Sequence, residues 1–495
     1  MYDFIIIGGG ISGLNIAKKL NRYKILMIEK NDYLGGRIKT VKINGKYIEA
    51  GGSRFNNNHK MLIKLLKEFD IYKDRVKIPN KKMYLNLKLE DCPKNIIKFV
   101  VDDLSKLSKN ELINNTIMKL CKKKYKKSIV DCFSDSFFYY SEIYTCNAYD
   151  ALRTIKNDLN EDKQYYIING GMSKLIDSLE KKILKYTTIL KKTAVSNVEY
   201  TNNQFLIYTL GKENKIYESK NLIVASGKNS MSQISFFKKI SKHLKSIKLI
   251  PLVRIYAVYP KNGNKVWFHD LPKIITQPPI KFIIPVDYDK GIIMISYVDG
   301  KYAEYWQKHY LEGDLDNEIN KEVKKLFPDR NIPKATKIYP YFWNEGISVW
   351  KPKYRSEMIF ENMIKPYKMP LFICGENFSI NHGWIEGALD TSNKVYEKIF
   401  KMKKTQKAGN KPNKSKKKKW KKFTMNEVKK HNTLEDAWTV INGKVLNITK
   451  WIAKHPGGPI IRDGIGIDST KLFKFHNHST GAKNKLDEFQ IGIKG

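Results

Sequence analysis

Two stretches of this chain carry residue types spaced for redox chemistry. The first is His455-Pro456-Gly457-Gly458, followed by His478-Ser479-Thr480. Two neutral imidazoles 23 residues apart can close on opposite faces of one porphyrin iron if the chain between them folds back as a pocket. The second is Gly8-Gly9-Gly10-Ile11-Ser12-Gly13, directly after an apolar run. Glycines at Gly8, Gly10 and Gly13 let the backbone approach a pyrophosphate, and a helix N-terminus there offers amide donors and the positive end of its dipole. Glu29 ends the next apolar run about 20 residues on, where a carboxylate can accept hydrogen bonds from ribose hydroxyls. A dinucleotide site and a haem site together make a redox protein with two centres.

These groups need elements to hold them. Phe4–Ile7 reads as a buried strand, Ile11–Leu20 has apolar residues at helical spacing, and Ile25–Ile28 reads as a second strand. Helical patterns follow at Met61–Phe69 and Glu111–Leu120. Strands are predicted at Phe205–Leu210, Leu222–Ala225, Ile283–Pro285 and Ile292–Tyr297. Residues 371–400 read as strand, turn and helix again. Dinucleotide-type pieces thus recur at about 1–55, 166–235 and 346–400, with substrate-type inserts at 56–165 and 236–345. Residues 401–422, with 12 lysines in 22 positions, read as an extended linker, and domain structure resumes at Phe423.

A chain of 495 residues is long enough for two or more domains, and it has no apolar run of transmembrane length. Its opening residues do not form a secretory signal. Five cysteines, scattered and without CxxC spacing, fit a reducing intracellular, cytoplasmic setting and do not suggest zinc. The net charge of +42 admits weak association with an anionic surface. Its blander source is coding bias, because only nine of the 91 basic residues are arginine. Nucleic acid is therefore not the expected partner. In a lysine-rich chain an arginine marks a site that needs a planar, bidentate donor. Arg37, Arg54 and Arg254 all fall in the motifs below.

Gly35-Gly36-Arg37, Glu49-Ala50-Gly51-Gly52-Ser53-Arg54-Phe55, Leu371-Phe372-Ile373-Cys374-Gly375-Glu376 and His382-Gly383-Trp384-Ile385-Glu386-Gly387-Ala388 complete the pattern. With them, residues 1–400 resemble the flavin-containing monoamine oxidase and L-amino-acid oxidase superfamily. The resemblance implies an α/β FAD-binding Rossmann-like domain with an interleaved α+β substrate domain. It places FAD on Gly8, Gly10, Ser12, Gly13 and Glu29, with Arg37 at the pyrophosphate and Val195 at the adenine. Gly375 and Glu376 would hold the pyrophosphate and ribityl chain, and Trp384 would lie beside the isoalloxazine. No cysteine stands where a covalent flavin link would form, so the FAD is expected to be non-covalent.

Within this resemblance Arg54 would grip a substrate carboxylate; an ion pair with Glu49 is its other use. Trp384 would wall the pocket against the substrate amine, or serve as a core aromatic. Arg254 stands where many members of the superfamily place a lysine that holds a water near flavin N5. An arginine there cannot act as a base.

Residues 423–495 resemble cytochrome b5 through Trp438, Trp451, His455-Pro456-Gly457-Gly458, Ala482, Leu486 and Phe489. The resemblance implies a small α+β domain holding haem b between His455 and His478. His476 competes for the second position, but only His478 keeps the offsets to Ala482, Leu486 and Phe489. Two histidine ligands leave no open iron position, so the haem would carry electrons. The expected activity is oxidation of an amine or amino-acid-like substrate, with electrons passing to O₂, to the tethered haem or to a redox partner protein. A flavin isomerase or desaturase-like enzyme on an apolar substrate, and a non-catalytic electron-transfer module, are the alternatives.

Overall fold

The structure is a computed structural model that describes residues 1–79, 81–87, 92–159, 163–211, 214–409, 420–476, 478 and 480–495. The chain forms two compact units, Met1–Lys404 and Thr405–Gly495.

In the first unit, Tyr2–Ile7 lies between Ile25–Ile28 and Ile216–Val224, parallel to both, and Thr187–Leu190 and Leu371–Ile373 extend the sheet in parallel on either side. The Ile, Leu and Val runs of these strands are continuous because both faces of the sheet are covered. Ala194–Thr201 and Gln204–Leu210 complete the sheet as an antiparallel hairpin. Asn202 and Asn203 make its two-residue turn with φ of 48° and 61°, the left-handed values that a hairpin loop matching strand twist requires. The Ile11–Lys19 helix starts at Gly10, at the C-terminal end of the opening strand.

A second sheet runs in the order Lys337–Trp350, Ile247–Val258, Ile292–Asp299, Phe282–Asp287, Lys273–Ile275, Lys82–Tyr84. Its strands alternate, so one face packs Val253, Ile255, Ala257, Ile293 and Ile295 with Trp306, Ile319 and Val323 of the helices Lys301–Glu312 and Leu315–Leu326. Tyr256 and Tyr297 lie on the other face, over the hairpin Thr40–Ile43 and Lys46–Glu49. Arg254 is paired in register with Tyr297.

Three expectations need correction. The helical pattern Glu111–Leu120 is two helices, Lys109–Asn114 and Ile117–Lys124, because Thr116 caps the second by accepting from Lys119 N at 3.2 Å. The linker does not begin at residue 401: the helix that starts at Ile385 continues to Gly409, since no proline interrupts it before Pro412. The remaining linker, 410–419, lies outside the described residues. Cys92 and Cys132, 40 residues apart, form a disulfide, leaving Cys121, Cys146 and Cys374 as buried free thiols. Packing in the helical insert brings the pair together with a Cα–Cα distance of 5.6 Å, which no local spacing reveals. A disulfide does not support the reducing setting expected from cysteine spacing. Among the described residues, no helix is long and apolar enough to cross a membrane.

The second unit has a four-stranded sheet in the order Lys422–Phe423, Gln490–Lys494, Lys444–Asn447, Trp438–Ile441. Thr424 and Glu427 form a capping box that starts the helix Met425–Lys430. The ring of His431 stacks on Trp438 at 3.6 Å, closing one side of the sheet. Its other small core holds Ala437, Ile441, Leu446 and Ile448, with Phe473, Leu486 and Phe489 packed against it.

Candidate functional site

The glycine cluster folds as a cradle. Gly8 has φ +107°, and a Cβ there would strike Ala225 O at 2.8 Å. A Cβ on Gly13 would meet Gly8 O at 2.1 Å, so the first helix packs on the strand only because both residues are glycine. At Gly10 nothing lies within 4 Å of a built Cβ, so the backbone opens onto free space. The helix that Gly10 caps has no side-chain cap and no acidic residue in its first turn, leaving its amides and dipole for an anion. The buried Glu29 carboxylate accepts from Gly9 N at 2.7 Å and Asn31 N at 2.9 Å, which fixes it at the end of the second strand.

The distant motifs close on this cradle. Gly35 N donates to Gly9 O at 2.9 Å, and a Cβ on Gly36 would sit 3.4 Å from Gly10 Cα. A Cβ on Gly375 would lie 3.9 Å from the Ser12 hydroxyl, so both ends of the first unit face one space. Val195 is the second residue of the strand Ala194–Thr201, which is brought to the end of the second strand by Thr193 N donating to Glu29 O at 3.0 Å. The residues present fit a dinucleotide pyrophosphate.

Arg37 and Glu376 do more than was read from the sequence. Arg37 donates to Glu376 at 2.9 Å and to Gly346 O at 3.1 Å. The Glu376 carboxylate also accepts from Gly383 N at 2.6 Å, the Ser348 hydroxyl at 2.8 Å and Asn377 Nδ2 at 3.2 Å. Burial alone would raise its pKa, but Arg37, the Gly383 amide and Ser348 together hold it below the usual carboxylate range. This pair ties the Gly36-Arg37 turn to the Gly383-Trp384 turn.

Behind that second turn, fully buried His382 meets Glu142 at 3.1 Å. Burial, the largest effect, pushes the imidazole pKa down, and Glu142, Asp150 and Glu376 more than reverse it, so it is raised. The sequence motif includes His382 but assigns it no role; only the fold brings Glu142 against it.

The three residues expected to face substrate form one row. Trp384 runs parallel to Tyr165, with ring centroids 6.3 Å apart and an interplanar angle of 8°. Arg54 Cζ stands 5.4 Å from the Tyr165 ring and 5.8 Å from that of Tyr297. Arg254 Cζ lies 4.7 Å from the same Tyr297 ring. Arg54 donates to the Tyr139 hydroxyl, and Arg254 donates to Glu49 O at 2.8 Å. The Glu49 carboxylate takes Met172 N at 2.7 Å and the Thr40 hydroxyl at 3.0 Å, so it is not the ion-pair partner of Arg54. Among the described residues, no carboxylate pairs with Arg54 or Arg254. Burial tends to raise the Tyr297 pKa, and the two guanidiniums outweigh it and lower it. Tyr139, Tyr165 and Tyr297 lie in the inserts, where no motif marked them. His59, 4.7 Å from Trp384 and held by Asp158 at 3.0 Å, was missed for the same reason.

In the second unit, the rings of His455 and His478 have centroids 6.2 Å apart. An imidazole nitrogen binds a transition metal at about 2 Å, and the ring centre stands roughly 1.2 Å behind it, so two rings on one iron need about 6.4 Å. The Nδ1 atoms of His455 and His478 meet Gly458 O at 3.3 Å and Phe473 O at 2.9 Å, leaving each Nε2 for a metal. The Gly457 backbone faces His455, where a Cβ would sit 2.9 Å from its ring. His476 is exposed, and the side chain of Ala482 lies outside the described set.

Comparison with known proteins bears on both units. Residues 11–395 match the family model for flavin containing amine oxidoreductases, and the chain belongs to that family. Residues 424–493 match the cytochrome b5-like heme/steroid binding domain. The first unit thus belongs to a family of FAD-containing oxidoreductases, and the second is a domain of the haem-binding cytochrome b5 type, which implies FAD and a b-type haem. A cytochrome b5 of Borago officinalis is 44% identical over 71 residues, 14% of this chain and 54% of that protein. An acyl-lipid (8-3)-desaturase of Physcomitrium patens is 44% identical over 72 residues, 14% of this chain and 15% of that one. The chain therefore spans about half the length of the cytochrome b5 relatives it matches. Among solved structures, a redesigned double mutant of putrescine oxidase superposes with a TM-score of 0.64 at 16% identity, covering 81% of this chain and 99% of that one. At that identity the likeness shows the FAD-binding amine oxidase fold.

Proposed function

We propose that the first unit oxidises an amine that carries a carboxylate, and that the electrons leave to O₂ or to the tethered haem. One observation carries the reading: Arg54 stands between two aromatic rings, in the row that includes Trp384, with only a tyrosine hydroxyl as partner among the described residues. A planar guanidinium in that state suits a bidentate carboxylate. Trp384 and Tyr165 offer parallel electron-rich faces beside it, where an ammonium group is attracted before it is deprotonated. Bound FAD supplies the hydride-accepting chemistry, and these side chains supply orientation and field.

Arg254 remains charged and cannot relay a proton, so its part is electrostatic. His382 and Glu376 fix the turn that presents Trp384. The FAD is held non-covalently in this reading, because the cradle closes from both ends of the unit and no cysteine stands where the family's covalent flavin link would form. His455 and His478 would hold the haem, and with two histidine ligands it would supply electron transfer.

Anaerobic mixing of the purified protein with amines, amino acids and polyamines tests the reading. A carboxylate-bearing amine should bleach the flavin, and Arg54→Gln should raise KM far more than it lowers kcat. Bleaching by simple amines alone, unaffected by Arg54→Gln, would contradict it.

A further inference from the structure

Arg54 and Arg254 share more than a neighbour. Their guanidiniums lie against the one Tyr297 ring, at 5.8 and 4.7 Å from its centroid, so two positive charges approach the same space. Arg54 donates to the Tyr139 hydroxyl and Arg254 to the Glu49 carbonyl, with the Tyr256 and Tyr297 hydroxyls also against Arg254, and among the described residues neither guanidinium forms an ion pair with a carboxylate. Arg254 is 7% exposed, and its Nε has no acceptor. The Glu49 carboxyl accepts from Met172 N and the Thr40 hydroxyl and makes no ion pair with either guanidinium; burial raises its pKa, and Arg254 pulls the other way, so Glu49 can balance at most one of the two charges. Tyr297 can supply at most one negative charge against two guanidiniums. A buried positive charge without a counterion is strongly unfavourable. The chain uses arginine at only nine of its 91 basic positions, yet two of the nine meet here.

We propose that Arg54 and Arg254 form a two-anion pocket, and that the substrate bears a second acidic group besides the carboxylate held by Arg54. The fitting class is an amino acid with an acidic side chain, or an amine with two carboxylates. A diamine or polyamine would meet two guanidiniums and no acidic side chain in the row. The inference rests on the proposed function for the position of the substrate, and the closing experiment separates the two.

The test is calorimetric titration of the full chain, flavin-loaded and kept anaerobic, with acid probes that carry no amine to be oxidised. Glutarate is compared with pentanoate, adipate with hexanoate, and 1,4-diaminobutane serves as the cationic control. At least one dicarboxylate should bind about tenfold tighter than the monocarboxylate of equal length. Arg254→Gln should cut that preference below about threefold, and Arg54→Gln should weaken both acids. Equal affinities for mono- and dicarboxylates in the unmodified protein, or tightest binding by the diamine, would overturn the pocket, and this series stands even if a variant fails to fold. A dicarboxylate preference without oxidation of any amine would retire the catalytic reading and leave the pocket. Oxidation of a monocarboxylate amine without that preference would do the reverse.

Discussion

Glu376→Gln tests whether the Arg37–Glu376 pair is the clasp between the two flavin-side turns. One carboxylate oxygen accepts from Gly383 N and from the Ser348 hydroxyl at 2.6 and 2.8 Å, the other from Arg37 and Asn377 at 2.9 and 3.2 Å. A glutamine can keep its carbonyl toward the first two, now as a neutral acceptor. Its NH₂ must then face two donors. Asn377 cannot simply flip, because its own carbonyl already accepts from Lys228 N at 2.7 Å. Losing bonds to a charged acceptor costs about 1.5–3 kcal/mol each. Arg37 is 35% exposed and can turn to water, which discounts its share, so the net loss should be about 2–4 kcal/mol.

Urea unfolding followed by flavin release reads the first unit, and the haem band serves as an internal control for the second. The effect should also depend on pH. A carboxyl whose pKa is depressed on folding contributes stability that is whole above its ordinary value of 4.5 and is lost as pH falls through the depressed one. Unmodified protein and variant should therefore differ most at neutral pH and converge in acid. A difference below about 0.5 kcal/mol at pH 7, or one that does not shrink in acid, would refute the reasoning.

Gly10→Val should yield folded protein without flavin, since the added side chain enters the space left open above Gly10; absorbance at the flavin band after gel filtration checks it. Acid precipitation of the unmodified protein should release the yellow chromophore to the supernatant, and flavin retained in the pellet would contradict non-covalent binding. His455→Ala and His478→Ala should each abolish a low-spin haem spectrum, whereas His476→Ala should keep it. His382→Gln should destabilise the first unit by about 2 kcal/mol or more at pH 6, as breaking a buried pair does. Because the His382 pKa is raised on folding, its contribution is full below the ordinary value of 6.5 and fades as pH rises through the raised one, so urea midpoints of protein and variant should approach each other in alkali.

Much of the cofactor machinery was legible because it is local. Gly8, Gly10 and Gly13 act within one strand–turn–helix unit, and His455 and His478 sit inside one small domain, so their spacing already encodes their geometry. The substrate row was only half legible. Arg54, Arg254 and Trp384 stood in recognisable motifs, but Tyr139, Tyr165 and Tyr297 join them only through strand pairing and packing of segments distant in sequence. The second role of Arg37 and Glu376 was hidden for a like reason: the ion pair forms only when turns 339 residues apart meet. Cys92 and Cys132 show the limit of counting cysteines, since helix packing in the insert, and no sequence motif, places them together.

The account centres on a flavin enzyme whose haem receives its electrons, and anaerobic stopped-flow spectroscopy tests that most directly. The full-length protein is mixed with a carboxylate-bearing amine that bleaches the flavin, and the flavin and haem bands are followed separately. The account predicts that haem reduction follows flavin reduction, at a rate independent of protein concentration. A haem that stays oxidised beside fully reduced flavin, or whose reduction rate scales with protein concentration, would contradict transfer within one chain.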